Sequence, residues 1–331
     1  TAPVFTPGDN FNTVLYTGNG STQAITGTGF EPDLIWTKNR SSVQNHYLFD
    51  SVRGDFKAIY PDLTNAEFSS TNYISFDSDG FTTGSTQNQN NNNYVAWNWK
   101  AGGAARNNTN GNNITSQVSA NTAAGFSVVK WTGDANSSST IGHGLTPNSQ
   151  PMLVIMKDLD SSNDWMVITN NLWSNPTAYF LKLNLTNALA TGTGNPYLVN
   201  NTVFQNTNRN ISGNDYIAYC FHSVAGYSKI GSYTGNGSAT GPIVTLGFEP
   251  AWIMIKRSSS NASGGNWIIK DNKRDTTNPN TQNLYANLSA AEENAYPVDF
   301  NSNDFQILES NVDINENGGT YIYMAFATNP T

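Results

Sequence analysis

Tyr16-Thr-Gly-Asn-Gly-Ser21 is the phrase that decides the fold, because the chain repeats it twice more in related form. The later copies are Trp131-Thr-Gly-Asp-Ala-Asn136 and Tyr233-Thr-Gly-Asn-Gly-Ser238. Internal repeats determine architecture before local patterns do, and a solenoid unit runs only roughly 20–50 residues. The spacing here is about one hundred residues, which is the size of a small domain. The sequence therefore predicts one small fold, triplicated in tandem.

Two further phrases recur in each copy. Apolar runs that end in lysine occupy residues 34–38, 153–157 and 252–256, and closing runs occupy residues 94–99, 216–221 and 321–326. The closing runs alternate with period two, which places every second side chain on one face of a strand. We expect three such faces to form the core of each domain: Val95, Trp97 and Trp99; Ile217, Tyr219 and Phe221; Ile322, Met324 and Phe326. The lysine-ended runs are continuously apolar, as in strands covered on both faces.

The predicted fold class is all-β, with three tandem antiparallel β-sandwich or jelly-roll-like domains of about 100 residues. Short runs rich in Val, Ile and aromatic residues alternate with Gly, Asn, Asp and Ser, a pattern typical of strands and turns. We predict one helical turn per copy, at residues 63–67, 185–189 and 288–292. The predicted domains are 1–104, 126–228 and 229–331, with 105–125 as a polar linker or hinge. Domains two and three should form a rigid pair.

Composition excludes several classes of protein. Aromatic residues make up 12% of the chain and charged residues only 12%, whereas disordered chains have few aromatics and high charge. The net charge of −8 argues against a nucleic-acid partner, which would require a basic surface. No apolar run reaches the ~18 residues of a membrane span. Cys220 is the single cysteine, so it is either a small half-buried strand residue or a reactive thiol.

No catalytic motif is found in the sequence. His46, His143 and His222 lie at non-equivalent places in the three copies and share no metal-ligand spacing. The one enzymatic option is a pair of carboxylates of the kind that glycosidases use. The acidic residues that could supply such a pair are Asp158, Asp160 and Asp164, and Asp77 and Asp79. Their positions change from copy to copy, so we predict no catalytic residues, no enzyme activity and no cofactor.

A calcium loop is the nearest match to a metal site. Asp313-Ile-Asn-Glu-Asn-Gly318 carries oxygen ligands at alternate positions, but its twelfth position is Met324, where an EF-hand has a bidentate Glu. The pair Asp158 and Asp160 could bind a cation weakly. Asx-turn chemistry explains both segments, and we predict no metal site.

Exposed aromatic residues in turns are the best candidates for a ligand site, because sugar rings stack on flat apolar faces. Trp173 and Tyr197 lie in the Gly/Asn/Pro-rich part of the second copy, away from any predicted strand. If the chain has a ligand site, we expect these two residues to form it; the ordinary interpretation of both is packing within their loops.

The full set of phrases resembles a repeat domain common in marine phage structural proteins, including virion proteins of cyanophages and pelagiphages that are often labelled tail fibres or tail appendages. The phrases that carry the resemblance are Gly29-Phe-Glu-Pro-Asp-Leu-Ile-Trp-Thr-Lys38, Leu48-Phe-Asp-Ser-Val-Arg-Gly54, Tyr94-Val-Ala-Trp-Asn-Trp-Lys-Ala-Gly-Gly103, Phe126-Ser-Val-Val-Lys-Trp-Thr-Gly133, Gly142-His-Gly-Leu145, Gly226-Tyr-Ser-Lys-Ile-Gly-Ser-Tyr-Thr-Gly-Asn-Gly-Ser238 and Gly318-Gly-Thr-Tyr-Ile-Tyr-Met-Ala-Phe-Ala327. The likeness runs from about Leu15 to Ala327. It implies a place on the virion surface, without transferable catalytic residues.

Four functions remain open on this basis. The first is a phage appendage, such as a tail fibre, that contacts the host surface as a homo-oligomer, most simply a trimer. The second is a capsid decoration or head-fibre protein, and in both of these the partners are other virion proteins. The third is a carbohydrate-binding lectin or adhesin domain on the surface of a bacterium, whereas a host surface glycan is the expected partner of the phage appendage. The fourth is a polysaccharide depolymerase.

Overall fold

The computed structural model describes residues 6–150, 152–170, 178–191, 199–206, 210–259 and 265–327. Strands make up 46% of the chain and helices 3%, and the sheets are antiparallel, which confirms the all-β prediction. Within the described ranges, no helix has the length and apolar character that crossing a membrane requires. The only helical segments described are the single turns Pro7–Asp9, Ser85–Gln87 and α1 (Val312–Asn315).

Repeat 1 contains strands β1 to β9. Their bounds are β1 Phe11–Thr17, β2 Gln23–Thr26, β3 Leu34–Asn39, β4 Tyr47–Asp50, β5 Lys57–Ala58, β6 Phe68–Ser69, β7 Ser75–Asp77, β8 Gly80–Thr83 and β9 Asn93–Trp99. The main sheet has the order β1-β9-β3-β4, and two smaller sheets have the orders β2-β8-β7 and β5-β6.

Repeat 2 contains strands β10 to β19. Their bounds are β10 Arg106–Asn108, β11 Ser116–Asn121, β12 Phe126–Thr132, β13 Thr140–Gly142, β14 Met152–Asp158, β15 Met166–Thr169, β16 Ala178–Lys182, β17 Ala190–Thr191, β18 Val203–Gln205 and β19 Asp215–His222. The main sheet has the order β10-β11-β12-β19-β14-β15-β16-β17, and β13 pairs with β18.

Repeat 3 contains strands β20 to β27. Their bounds are β20 Ser228–Thr234, β21 Ile243–Thr245, β22 Pro250–Arg257, β23 Trp267–Asp271, β24 Asn280–Tyr285, β25 Glu293–Phe300, β26 Asp304–Ile307 and β27 Thr320–Ala327. They form one sheet with the order β20-β27-β22-β23-β24-β25-β26-β21.

The central strands of each main sheet are covered on both faces, as the lysine-ended runs predicted. In repeat 1 the outer face packs Ile35 and Ala96 against Ile25 and Phe81 of the smaller sheet. Repeats 2 and 3 have equivalent private cores. Each repeat therefore has the character of a two-layered β-sandwich.

The inner faces of all three main sheets meet in one shared core. Trp99, Phe221 and Phe326 are the last aromatic residues of the three closing strands, β9, β19 and β27. Their rings contact one another at centroid distances of 6.1, 5.7 and 5.9 Å. The predicted closing-strand faces are buried, but in a core shared by three repeats rather than in three separate domain cores. Period two shows that a face is buried without showing what covers it.

Three equivalent backbone hydrogen bonds close the repeats into a ring. The N–H groups of Glu67, Leu189 and Glu292 donate to the carbonyls of Leu159, Ser258 and Arg40 at 2.8, 3.0 and 3.0 Å. These bonds join repeat 1 to 2, repeat 2 to 3 and repeat 3 to 1, and we call the three contacts the 1–2, 2–3 and 3–1 interfaces. The helical turns predicted at residues 63–67, 185–189 and 288–292 are absent. The backbone groups that a helix would use there reach across to the neighbouring repeat instead.

The segment 105–125 is not a linker. Arg106–Asn108 pairs with Ser116–Asn121, which pairs with β12 and extends the main sheet of repeat 2. The buried side chains of Ile114 and Val118 anchor the segment in the private core of repeat 2. Two isolated apolar residues in a polar stretch gave too weak a periodic signal to predict this. Because repeat 1 also contacts both neighbours in the ring, it does not stand apart from a rigid pair.

Candidate functional site

The buried lysines of repeats 1 and 3 each donate a hydrogen bond to a neighbouring repeat, whereas Lys157 of repeat 2 donates to the carbonyls of Asp158 and Ser161 in its own repeat at 2.6 and 3.0 Å. In repeat 1 the Lys38 ammonium donates to the carbonyls of Asn39 and Ser289 at 2.8 and 3.1 Å, and in repeat 3 the Lys256 ammonium donates to those of Gly265 and Thr186 at 2.7 and 2.9 Å. One bond of Lys38 and one of Lys256 thus cross to a neighbouring repeat. Burial lowers the pKa of Lys38 to about 8 and that of Lys256 to about 7.

Two buried ion pairs occupy equivalent positions in repeats 1 and 3. The Arg53 guanidinium contacts the Asp50 carboxylate at 2.5 Å, and Arg274 contacts Asp271 at the same distance, with all four side chains fully buried. Each carboxylate also accepts a hydrogen bond from the next repeat. Tyr219 Oη donates to Asp50 Oδ2 at 2.8 Å across the 1–2 interface, and the Trp97 indole N–H donates to Asp271 Oδ2 at 3.0 Å across the 3–1 interface. These charges are fully partnered inside the core, so they hold the ring together.

The three histidines are structural. The His46 ring accepts a hydrogen bond from the Trp36 indole N–H at 2.9 Å, and burial lowers the pKa of His46 well below its ordinary value. His143 Nδ1 accepts from the Leu145 N–H at 3.1 Å, which places its proton on Nε2, 3.1 Å from the Asn200 carbonyl. Burial lowers the pKa of His143 to about 4 and that of His222 below its ordinary value. All three side chains therefore stay neutral near pH 7.

Cys220 lies fully buried in the private core of repeat 2. Burial raises the pKa of its thiol well above the ordinary value. The half-buried position predicted from the sequence is thus wrong, and the alternative of a reactive thiol has no support because the thiolate is disfavoured.

The candidate carboxylates stabilise turns. Asp158 Oδ1 accepts from the N–H groups of Asp160 and Ser161 at 3.0 and 3.1 Å, which is the predicted Asx turn. Asp164 pairs with Lys182 at 2.7 Å, and Asp79 accepts from two glycine N–H groups.

In the segment that resembled a calcium loop, Asp313 lies in α1 and its carboxylate accepts from Tyr296 Oη at 3.0 Å. Across the part of the chain that the structure describes, no three His, Cys, Asp or Glu side chains converge as metal ligands would.

A polar cleft of about 470 Å³ opens on repeat 2. Its lining residues are Ser149, Asn170, Val199, Asn200, Asn201 and Thr202. None of these described residues is charged, and together they offer amide and hydroxyl groups beside one valine. A second, larger cleft of about 690 Å³ lies where repeat 1 runs into repeat 2 and includes Glu31, Asp33 and Lys100. The Asp33 carboxylate is engaged there by the Ser51 hydroxyl and the Ala101 N–H at 2.6 and 2.7 Å.

A turn inserted in one repeat forms one wall of the polar cleft. Nine positions separate Gly144 from Leu153, whereas five separate Gly29 from Leu34 and five separate Gly247 from Trp252. Leu34, Leu153 and Trp252 occupy equivalent positions, because each pairs with the last aromatic residue of the closing strand in its repeat. The longer loop is therefore specific to repeat 2.

The inserted turn is held in a strained conformation. Asn148 and Ser149 have φ values of 48° and 67°, and the Gln150 N–H donates to the Pro147 carbonyl at 2.9 Å, as in a type I′ turn. The Asn201 side-chain oxygen accepts from the Ser149 N–H at 3.0 Å and ties this turn to the opposite wall. Two consecutive non-glycine residues with positive φ are uncommon and mark a site worth testing for function.

The predicted ligand residues Trp173 and Tyr197 lie outside the described residues. Asn170 is the last described residue before Trp173, and Val199 is the first described residue after Tyr197. Both line the polar cleft. The prediction overlooked the asparagines at positions 200 and 201, since a chain rich in Asn gives them no contrast. The extra length between Gly144 and Leu153 was the signal that could have indicated the cleft.

The ring, its shared core and the loop cleft define an all-β protein of three tandem repeats closed around a common centre. Within that class, the chain belongs to the DUF7483 family, which is described as a domain of unknown function and whose model matches residues 6–330. Comparison with curated proteins finds no match.

Proposed function

We propose that this chain is a structural protein of the virion surface, an appendage component of the tail-fibre type that contacts the host. The observation that carries the proposal is the closure of three repeats into one ring around a single aromatic core. Such a ring joins three repeats through one core without a disulfide, which suits a particle exposed to the medium. The resemblance of its repeated phrases to marine phage structural proteins supports the same role.

The proposed partners are other virion proteins and a glycan of the host surface, and no catalytic role is proposed. Assembly takes one of two forms, a homo-oligomer such as a trimer or tight docking onto another virion protein. Because one chain already supplies three repeats around a common axis, docking needs no further copies of the chain. Mass photometry of the purified protein separates the two: the mass of three chains supports the trimer, and the mass of one chain supports docking.

Location in the intact particle tests the proposal. Gold-labelled antibodies against the chain should bind the tail of the particle in electron micrographs. Labelling of the head would favour a capsid decoration or head-fibre protein instead. If purified particles carry no label, and peptides of the chain are absent from their mass spectra, the virion role is wrong.

A further inference from the structure

We infer that the polar cleft of repeat 2 is a binding site for a neutral saccharide, formed by the loop that this repeat alone contains. This inference gives the host-surface contact of the proposed function a position on the molecule. The binding itself is a property of the isolated chain.

The three asparagine side chains in the cleft all have their oxygen atoms committed to the protein. Asn170 Oδ1 accepts from the Met152 N–H at 2.6 Å, and Asn201 Oδ1 accepts from the Ser149 N–H at 3.0 Å. Asn200 Oδ1 accepts from the N–H groups of Thr202 and Val203, both at 2.9 Å. Backbone N–H donors fix which side-chain atom is oxygen, so the orientation of each amide is determined.

The amide nitrogens consequently remain for a ligand. Within the described part of the chain, the Nδ2 atoms of Asn200 and Asn201 donate to no protein group, and Asn170 Nδ2 makes one long contact of 3.5 Å to the Gln150 carbonyl. A row of N–H donors beside the hydroxyls of Ser149 and Thr202 suits the hydroxyl and ring oxygens of a sugar.

The walls of the cleft are fixed before a ligand arrives. His143 is buried beneath the turn at Asn200. Its side-chain Nε2 contacts the backbone carbonyl of Asn200 at 3.1 Å, and its backbone N–H donates to the carbonyl of Thr202 at 3.2 Å. On the other side, the strained turn at Ser149 is tied to Asn201. Donors held in place lose less conformational freedom on binding, so even uncharged contacts yield measurable affinity.

Charge selects the class of ligand. None of the described lining residues is Lys, Arg, Asp or Glu, which disfavours phosphate, nucleic acid and divalent cations as ligands. Val199 packs in the private core of repeat 2 and presents only a 9% exposed apolar edge to the cleft, and the volume of about 470 Å³ lies within the usual range for small-molecule sites. A saccharide without ionised groups fits all of these features.

The decisive variant is Asn200→Asp combined with Asn201→Asp. Aspartate keeps the oxygen that accepts the backbone N–H groups, so both turns are retained while the amide donors are lost. The control for added negative charge outside the cleft is Asn301→Asp in repeat 3, where the amide nitrogen donates to Asp304 Oδ1 at 2.8 Å and does not face a ligand. Asn301 occupies the equivalent turn position, since its N–H donates to the Asp304 carbonyl as the Asn200 N–H donates to that of Val203. The exposed Thr202→Val is a second, uncharged variant.

The probes are neutral oligosaccharides of hexoses and N-acetylhexosamines on an array, with sulfated and sialylated oligosaccharides beside them. A neutral oligosaccharide that binds is then titrated in a calorimeter. We expect the double variant to bind at least tenfold more weakly and Thr202→Val to bind severalfold more weakly, since each loses hydrogen bonds to the sugar. Asn301→Asp should stay within twofold of the wild type.

Binding of no neutral oligosaccharide by the wild type would overturn the inference. So would binding of charged oligosaccharides alone, or equal binding by the wild type and both cleft variants. These outcomes leave the location of the protein in the particle untouched, and a failure to find it in particles leaves the titration unchanged. The two proposals therefore fail separately.

Discussion

The 1–2 and 2–3 interfaces are built from equivalent positions of the repeat, yet different side chains stabilise their centres. At the 1–2 interface the buried Asp50–Arg53 pair accepts a hydrogen bond from Tyr219. The corresponding positions at the 2–3 interface are Thr169 and Met324, as the strand registers show. The 2–3 interface thus lacks both the carboxylate and the hydroxyl group that donates to it. A buried carboxylate is costly unless its cation and its hydrogen-bond donors are all present, whereas an apolar contact needs neither.

The ion pair does not by itself decide whether an interface forms. The 2–3 interface still has the ring hydrogen bond from Leu189 to Ser258 and the bond from Lys256 to Thr186. It also has the Trp267 indole N–H, which donates to the Lys182 carbonyl at 2.8 Å. Ring closure therefore rests on backbone carbonyls, and the ion pairs add specificity at two of the three interfaces. The variants at Arg53 and Tyr219 described below test this division.

The largest effect should come from breaking one ion pair. Arg53→Met leaves Asp50 charged, buried and without its cation, and such a change typically costs about 3–5 kcal/mol of unfolding free energy. Denaturant melts followed by tryptophan fluorescence measure this loss. The control Arg106→Met changes an exposed arginine and should stay within about 0.5 kcal/mol of the wild type. A cost for Arg53→Met below about 1 kcal/mol would mean that the ion pair contributes nothing to the 1–2 interface.

The second effect concerns Asp62, for which repeats 2 and 3 have asparagine. Asn184 Oδ1 accepts from the Trp165 N–H at 2.9 Å, and Asn287 Oδ1 accepts from the Trp267 N–H at 2.8 Å. Both carboxylate oxygens of Asp62 are buried without a hydrogen bond of good geometry, and the backbone N–H groups of Asp62 and His46 and the Lys38 ammonium lower its pKa by less than burial raises it. Burial raises the pKa of Asp62 to about 7. The folded state consequently favours the protonated acid.

The sign of the pH dependence follows from that pKa. Below about pH 4 Asp62 is protonated in both the folded and the unfolded chain, so its ionisation takes nothing from the free energy of unfolding. Between about pH 4 and 7 only the unfolded chain ionises, so stability falls as pH rises, by as much as about 4 kcal/mol. Asp62→Asn should therefore stabilise the protein at pH 8 and have little effect at pH 4.

Thermal or urea melts of Asp62→Asn at pH 4, 6 and 8 provide the measurement. Asp9→Asn, at an exposed position, controls for the change in net charge. The reciprocal Asn184→Asp should introduce a similar pH-dependent loss in repeat 2. A gain for Asp62→Asn that is the same at pH 4 and pH 8 would contradict the explanation.

The third effect separates the donor from the rest of the interface. Tyr219→Phe removes only the hydroxyl that donates to Asp50, which should cost about 1–3 kcal/mol because a buried carboxylate loses a partner. Met324→Leu changes the equivalent position in repeat 3, where no carboxylate stands opposite, and should cost less than about 1.5 kcal/mol. Urea melts of the two variants give the comparison. Equal costs would show that the hydroxyl has no special role.

Sequence patterns predicted the strands and the repeat well, because both depend on local chemistry. The predicted turns are confirmed: Asn19 and Asn236 side chains accept from the N–H groups of Ser21 and Ser238, both at 2.9 Å. Alternation identified buried faces correctly but assigned them to separate cores. Whether Trp99 faces its own repeat or its neighbours depends on contacts between residues far apart in the chain, which no local period contains.

The errors in the sequence prediction have the same origin. Residues 63–67 were expected to be helical, yet the Glu67 N–H bonds to the neighbouring repeat, so tertiary contacts override local propensity. The ligand residues predicted from the sequence, Trp173 and Tyr197, lie outside the described residues, so that prediction stays untested. The cleft depends on the extra loop around Ser149 and on amide orientations at Asn200 and Asn201, and only the loop length can be read from the sequence.

The smallest effect tests the phrase with which each repeat opens. Gly20 and Gly237 have φ values of 77° and 67°, and Ala135 occupies the equivalent position in repeat 2 at 62°. Alanine at positive φ is strained, whereas glycine is not, although glycine loses more entropy on folding. Ala135→Gly should therefore stabilise the protein by roughly 0.5–1 kcal/mol. The reciprocal Gly237→Ala should cost at least as much, because an added Cβ would lie 3.0 Å from that of Asn317. Melts of both variants under the same conditions check the pair, and a loss of stability in Ala135→Gly would show that the strain in repeat 2 is relieved in another way.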